Sequence, residues 1–185
     1  TYLRQFMDAL TFATEKHKMQ RRKTGTAYIE HPIGVCNILV NAGVTDIDVI
    51  RAALLHDTVE DTNTTFEELE EHFGPTVTQY VRDATDNKKL DKVTRKKQQI
   101  EHSHTITLGG KLVKYADKIH NMRDLTSSVP CPFRPYKVAQ GYCVWGKKVC
   151  EAFRGINDEL DKEFDEILRG TVTDDEGVER KAIPE

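Results

Sequence analysis

The feature that most constrains the fold is the spacing of apolar residues. They recur three and four positions apart in nearly every segment and nowhere alternate convincingly with a period of two. The chain is therefore expected to be all-α, a single bundle of about eight to ten helices. Its 185 residues suffice for one domain with a substantial core and are too few for two of ordinary size. Leu3, Phe6, Met7, Leu10 and Ala13 mark a first helix that runs out in the polar stretch 16–26. Pro32 suits the first turn of a second, with Ile33, Cys36, Leu39 and Val40 as its buried stripe. Asp46 or Asp48 can cap a third, which carries Ile50, Ala53 and Leu54. Thr65-Phe66-Glu67-Glu68 has capping-box spacing and opens a short helix that stops at Gly74, after which Pro75 starts another. Gly109-Gly110 precede a helix over 111–125. Pro130, Pro132 and Pro135 break the chain before a long helix through Val138, Tyr142, Trp145 and Val149, and a last helix uses Ile156, Leu160, Phe164 and Ile167. After residue 169 the chain is almost wholly polar, so 170–185 is expected to be a mobile tail.

Charge excludes some classes of partner. Charged residues make up 31% of the chain, yet the net charge is only -3, with both signs interspersed. Nucleic-acid and membrane-surface binders usually carry a basic excess or stripe, so neither partner is expected. The densest basic run, Lys88, Lys89, Lys92, Arg95, Lys96 and Lys97, reads first as a solvated helix face. The four cysteines, Cys36, Cys131, Cys143 and Cys150, form no C-x-x-C pair and are expected to be buried reduced thiols. No apolar run approaches the ~20 residues of a membrane span, and the first residues lack a signal-peptide core. A reducing, cytoplasmic location is the expectation.

Within this helical pattern one run stands out. Ala52-Ala53-Leu54-Leu55 leads directly into His56-Asp57, with Glu60-Asp61 following. A buried carboxylate costs several kcal/mol unless a cation or a full set of hydrogen bonds compensates it. Matching ligand types occur at His31, before Pro32, and at Asp117, inside the apolar stretch 111–119. Two imidazoles and two carboxylates, His31, His56, Asp57 and Asp117, form a mixed N,O set suited to Mn²⁺, Fe²⁺ or Zn²⁺, if their helices converge on one wedge. Each has a plainer reading alone. His31 could end a loop, Asp117 could pair with Lys114 or Lys118, and His120 competes as a ligand. His17, His72, His102 and His104 lie in polar stretches and read as exposed. Glu60 and Asp61 fall about one turn beyond the His-Asp pair, where a carboxylate could take a proton from metal-bound water. Asn121, one turn after Asp117, would project toward the same pocket and could bond a ribose or phosphate.

Several motifs in this order are specific: Gln20-Arg21-Arg22-Lys23, Tyr28-Ile29-Glu30-His31-Pro32, Leu54 through Thr62, Ala84-Thr85-Asp86, and Lys111-Leu112-Val113-Lys114 through Arg123. On these the chain resembles the HD-domain superfamily. The likeness is nearest to the hydrolase domain of RelA/SpoT-type alarmone enzymes, and there to the small stand-alone metazoan SpoT homologues. It runs from about Phe12 to Gly155 and places an HD hydrolase domain over 1–169. The resemblance implies an all-helical domain binding Mn²⁺ through His31, His56, Asp57 and Asp117, with Glu60 and Asp61 activating water. It implies removal of the 3′-pyrophosphate of ppGpp or pppGpp, giving GDP or GTP. It further implies that Arg22 and Lys23 contact the nucleotide, and that Asn121 and Tyr142 line the substrate pocket. Two alternatives remain open: a phosphatase for the 2′-phosphate of NADPH using the same site, and an inactive nucleotide-binding sensor. Glu30 and Asn63 depart from the usual pattern, and the 23–26 loop is short, so substrate preference is expected to reside around them. Only a polar segment follows Arg169, so hydrolysis without synthesis is expected.

Overall fold

The computed structural model describes residues 1–126 and 134–185. Pro130, Cys131 and Pro132 lie outside these described residues. The elements run α1 (Tyr2–His17), α2 (Glu30–Asn41), α3 (Ile47–Leu55), α4 (Thr58–Asp61), α5 (Phe66–Ala84), α6 (Lys92–His102), α7 (Leu108–Leu125) and α8 (Tyr136–Cys150). A 3₁₀ turn (Glu151–Phe153), α9 (Asp158–Leu168), and the strands β1 (Thr171–Thr173) and β2 (Glu179–Lys181) complete them. The all-α expectation is met, with one two-stranded ribbon added.

Two helices organise the rest. α3 is short but almost wholly apolar, and Val49, Ile50, Ala52, Ala53, Leu54 and Leu55 are all buried. It packs against α1, α2, α5 and α7, while α7 also touches α8 and α9. Such two-sided burial explains why α3 lacks a polar face at its C-terminal half. The caps follow the sequence. The Asp46 carboxylate accepts from Asp48 N at 2.9 Å, and Thr65 Oγ1 accepts from Glu68 N at 3.1 Å. α5 bends at Gly74, whose φ of 85° interrupts the helix just before Pro75.

Several expectations need correction. In the expected stripe of α2, Cys36 and Leu39 are buried but Ile33 and Val40 are exposed, and Val35 and Ile38 are buried instead; on α1, Ala9, Ala13 and His17 are buried while Leu3 and Met7 are exposed. Small residues at four-residue spacing let α1 lie close on α3, which larger side chains at those positions would prevent. Gly109 and Gly110 do not precede α7 but form its first turn, capped by Thr107. A Cβ at Gly109 would lie 2.4 Å from the Tyr80 ring, so the helix starts where α5 approaches too closely for any side chain. The expected mobile tail instead forms the antiparallel ribbon β1–β2, with Val172 opposite Arg180. Val172 and Ala182 are buried, and the Asp174 carboxylate accepts from Glu176 N, Val178 N and Arg180 Nε to close the turn. Val172 is the one buried apolar residue within the two strands, too little to register as an apolar pattern.

Candidate metal centre and reaction pocket

The four sequence-expected ligands come from α2, the α3–α4 junction and α7, and lie close together. His31 lies in the first turn of α2, His56 caps the C-terminus of α3, Asp57 precedes α4, and Asp117 lies midway along α7. His31 Nε2 is 3.0 Å from Asp117 Oδ1 and 3.5 Å from Asp57 Oδ2. His56 Nε2 is 3.1 Å from Asp57 Oδ2 and 3.5 Å from Asp117 Oδ1. His31, His56 and Asp117 offer ligand atoms within 4.8 Å of one another, and Asp57 Oδ2 lies beside both histidine nitrogens, so this mixed donor set is one that could hold a divalent cation. His56 supplies the sharper indication. Its Nδ1 faces Ala53 O at 2.7 Å, which fixes the ring, while its buried Nε2 has no hydrogen-bond partner. A buried nitrogen that faces two carboxylates without an aligned hydrogen bond to either is the arrangement a bound cation would complete. The residues fit a metal.

Neighbouring groups hold the donors in place. Tyr28 Oη donates to Asp57 Oδ2 at 2.6 Å, Asn121 Nδ2 to Asp117 Oδ1 at 2.9 Å, and Lys118 Nζ to Asp117 Oδ2 at 2.9 Å. Of the two lysines expected to compete for Asp117, Lys118 takes it and Lys114 does not. His31 Nδ1 lies 2.8 Å from His120 Nδ1, so His120 supports a donor rather than competing with it. That contact depends on Gly34, where a Cβ would lie 2.2 Å from His120 Nε2. Burial and the facing His31 hold the His120 imidazole down to about 4, so it stays neutral at physiological pH. Burial alone would raise the Asp57 carboxyl, but His56 and His31 override it and hold it well below the ordinary range.

The neighbouring carboxylates differ from one another. Helix α3 does not continue through Glu60, because Asp57 separates it from the one-turn α4. Glu60 and Asp61 nevertheless reach the centre, and oxygens of Asp57, Glu60 and Asp61 lie within 4.8 Å of one another. Burial pushes the Glu60 carboxyl up to about 7 against the pull of the Asp86 backbone N–H, which donates to Glu60 Oε1 at 2.7 Å. Asp61 is held from two sides, by Lys88 Nζ at 2.7 Å and Tyr28 Oη at 3.3 Å.

A cavity of about 630 Å³ opens over the centre, lined by Arg22, Lys23, Asn121 and Tyr142 together with His31, Asp57, Glu60, Asp61 and Asp117. Arg22 pairs with Asp124 at its wall, and the Tyr142 ring packs edge-on against Trp145 with centroids 5.3 Å apart. Arg134 lies over the same Tyr142 ring at 5.5 Å. Glu30 and Asn63, expected to shape specificity, do not line this cavity, because their side chains face outward. Sequence reading missed Tyr28, Lys118 and Arg134 as pocket groups, and Lys88 as the partner of Asp61. Tyr28, three residues before His31, and Lys118, a lysine within an apolar helix, carried a signal. Lys88 and Arg134 carried none. His17, expected exposed, is buried against Tyr28, its ring 4.9 Å away and its Nδ1 2.8 Å from Gln20 Oε1. The four-residue rhythm Ala9, Ala13, His17 was its signal.

A sequence model of the HD domain matches residues 9–141. The chain belongs to the HD-domain family. The mouse guanosine-3′,5′-bis(diphosphate) 3′-pyrophosphohydrolase MESH1 is 47% identical over 167 residues, covering 89% of this chain and 93% of that protein. The Drosophila melanogaster protein of the same name is 46% identical over 168 residues, with the same coverage. A solved metazoan SpoT ortholog, described as hydrolysing ppGpp, superposes with a TM-score of 0.83 at 45% identity, covering 89% of this chain and 94% of that one. Among the described residues no helix of this HD-domain chain is long and apolar enough to cross a membrane, and Cys36, Cys143 and Cys150 are free and buried.

Proposed function

We propose that this chain is a Mn²⁺-dependent hydrolase that removes the 3′-pyrophosphate of ppGpp and pppGpp. The observation that carries the reading is the meeting of His31, His56, Asp57 and Asp117 around a bare His56 Nε2, in a chain so similar to pyrophosphohydrolases along nearly its whole length. Those four side chains would hold the cation, which when bound lowers the pKa of water and offsets charge on a phosphate oxygen. Glu60, poised near neutrality by burial and anchored by Asp86 N, takes the proton from the attacking water. Asp61, held by Lys88 and Tyr28, keeps that water oriented. Lys23 and Arg22 meet the phosphates and guanine of the nucleotide, and Asn121 and Tyr142 bound its sugar side. The NADPH 2′-phosphate is the rival substrate for the same residues.

The test measures pyrophosphate release from ppGpp and orthophosphate release from NADPH, with Mn²⁺, for wild type, Asp57→Ala and Glu60→Ala. The expected result is release from ppGpp by wild type, loss of metal and turnover in Asp57→Ala, and retained metal with turnover reduced ~10²-fold or more in Glu60→Ala. Preferential turnover of NADPH would overturn the substrate assignment. Full activity in Asp57→Ala would overturn the metal centre.

A further inference from the structure

A second cavity, of about 580 Å³, lies between the C-terminal end of α5, α6 and the first turns of α7. It shares no lining residue with the reaction pocket. The hydrogen bond from Asp86 N to Glu60 Oε1 is the partition, since Asp86 lines one cavity and Glu60 the other. The reaction proposed above makes no use of this space.

Its wall holds three cationic side chains, Lys114, Arg95 and Arg82, that make no ion pair among the described residues. Lys114 is 5% exposed, lines the cavity, and has no hydrogen-bond or ion-pair partner among the described residues. Burial, reinforced by the nearby Lys118 charge, pushes its ammonium down to about 8. Arg95 also makes no ion pair among the described residues, and its Nε is buried without a partner, as is Gln99 Oε1. Arg82 lies over the Phe66 ring at 4.1 Å and is likewise free of carboxylates. Two carboxylates do line the cavity, but both are engaged. Asp83 accepts from the Thr107 hydroxyl, Thr107 N and Gln79, and Asp86 accepts from Gln99. A mostly buried lysine with no ion pair and a buried guanidinium nitrogen with no partner are unfavourable in isolation, and together they describe the complement of an anion.

We propose that this cavity is a second ligand site, taking a small phosphate-bearing anion held by Lys114 and Arg95 with Arg82 on its exposed side. A guanidinium fork beside an ammonium suits the several oxygens of a phosphate group. The volume exceeds that of a bare phosphate and lies within the range of small-molecule sites, about 300–1,000 Å³. The remainder of a phosphorylated metabolite therefore has room beside Gln98, Gln99 and His102. The assignment stands independently of which nucleotide the reaction pocket hydrolyses.

The probe is inorganic phosphate, added to the whole chain and read by thermal unfolding, with chloride at matched ionic strength as the control. Phosphate is expected to raise Tm saturably where chloride does not. Lys114→Met is expected to unfold at higher temperature in buffer alone and to lose the phosphate response. Arg95→Gln should bind phosphate about tenfold more weakly. Lys23→Gln, a change in the other pocket, should keep the response. The proposal is overturned if phosphate gives no more stabilisation than chloride, if Lys114→Met and Arg95→Gln respond as wild type does, or if Lys23→Gln alone abolishes the response. Should Lys114→Met fail to fold, Arg95→Gln decides by itself.

Discussion

Tyr28 concentrates the site's logic in one phenol. It donates to Asp57 at 2.6 Å and sits 3.3 Å from Asp61, so a single hydroxyl spans the carboxylate proposed to hold the metal and the one proposed to orient water. Burial, with Asp57 beside it, raises the phenol far above its ordinary range, so it remains a donor at any working pH. Tyr28→Phe keeps the ring against His17 and removes only the donor. Metal affinity is expected to fall about 10–100-fold, as is usual when a ligand's orienting partner is lost, with a matching drop in turnover at limiting metal. Metal titration of the variant checks this, and an unchanged affinity would remove Tyr28 from the site. Glu60 carries a second prediction at this scale. Its carboxyl, raised to about 7 by burial, must be ionised to accept a proton, so kcat/KM should fall as pH drops through about that value. A rate that is flat well below neutrality would assign the proton to another group. The residue types at the centre were legible because imidazole and carboxylate at the end of an apolar helix have few structural uses. Lys88 was not legible as the partner of Asp61, since nothing in a run of surface lysines distinguishes the one that folds back onto that carboxylate.

Helices α2 and α7 show what a sequence can and cannot say about elements. Pro32 and the apolar residues after it mark the start of α2 and its length, because backbone geometry alone fixes them. Which face turns inward depends on α7, and there Gly34 decides. It is the gap into which His120 fits, and a Cβ there would lie 2.2 Å from Nε2 and 2.5 Å from Cδ2 of that ring. A glycine in mid-helix is normally a weakness, costing about 1 kcal/mol relative to alanine. Here alanine is expected to be worse. Gly34→Ala should lower stability by about 1–3 kcal/mol through overpacking, and should displace His120 from His31, weakening metal binding as well. Denaturant unfolding and metal titration measure the two effects. A stabilised variant with unchanged affinity would mean that the helices separate without cost. The same dependence on a partner shows on α1: Leu3 and Met7 obey the helical period yet stay exposed, while Ala9 and Ala13 are fully buried and Phe6 and Leu10 pack beside them.

The molecule as a whole places polar groups on both sides of one thin wall, the reaction pocket before Glu60 and the cationic cavity behind Asp86. Neither this wall nor the ribbon over 171–181 was readable from the chain, because both arise from segments distant in sequence whose local composition is merely polar. The wall has a measurable consequence for global stability. Lys114 keeps its proton up to about 8 when folded, against 10.5 when unfolded. Below about 8 both states are charged and the fold bears the full cost of burying the ammonium, about 3 kcal/mol at one unit of pKa per 1.36 kcal/mol. Between the two values the unfolded chain holds the extra proton, so this residue makes stability rise with pH, and above 10.5 its penalty is gone. Lys114→Met preserves the length of the buried side chain and removes the titration. The variant should therefore exceed wild type in stability most at neutral pH, with the difference shrinking steadily between about pH 8 and about pH 10.5. Other buried groups that titrate over that interval affect both proteins alike and cancel in the difference. Urea midpoints of the two proteins in phosphate-free buffer, compared across that interval, give the result. A difference that stays constant with pH would mean that Lys114 is not the group whose charge the wall confines.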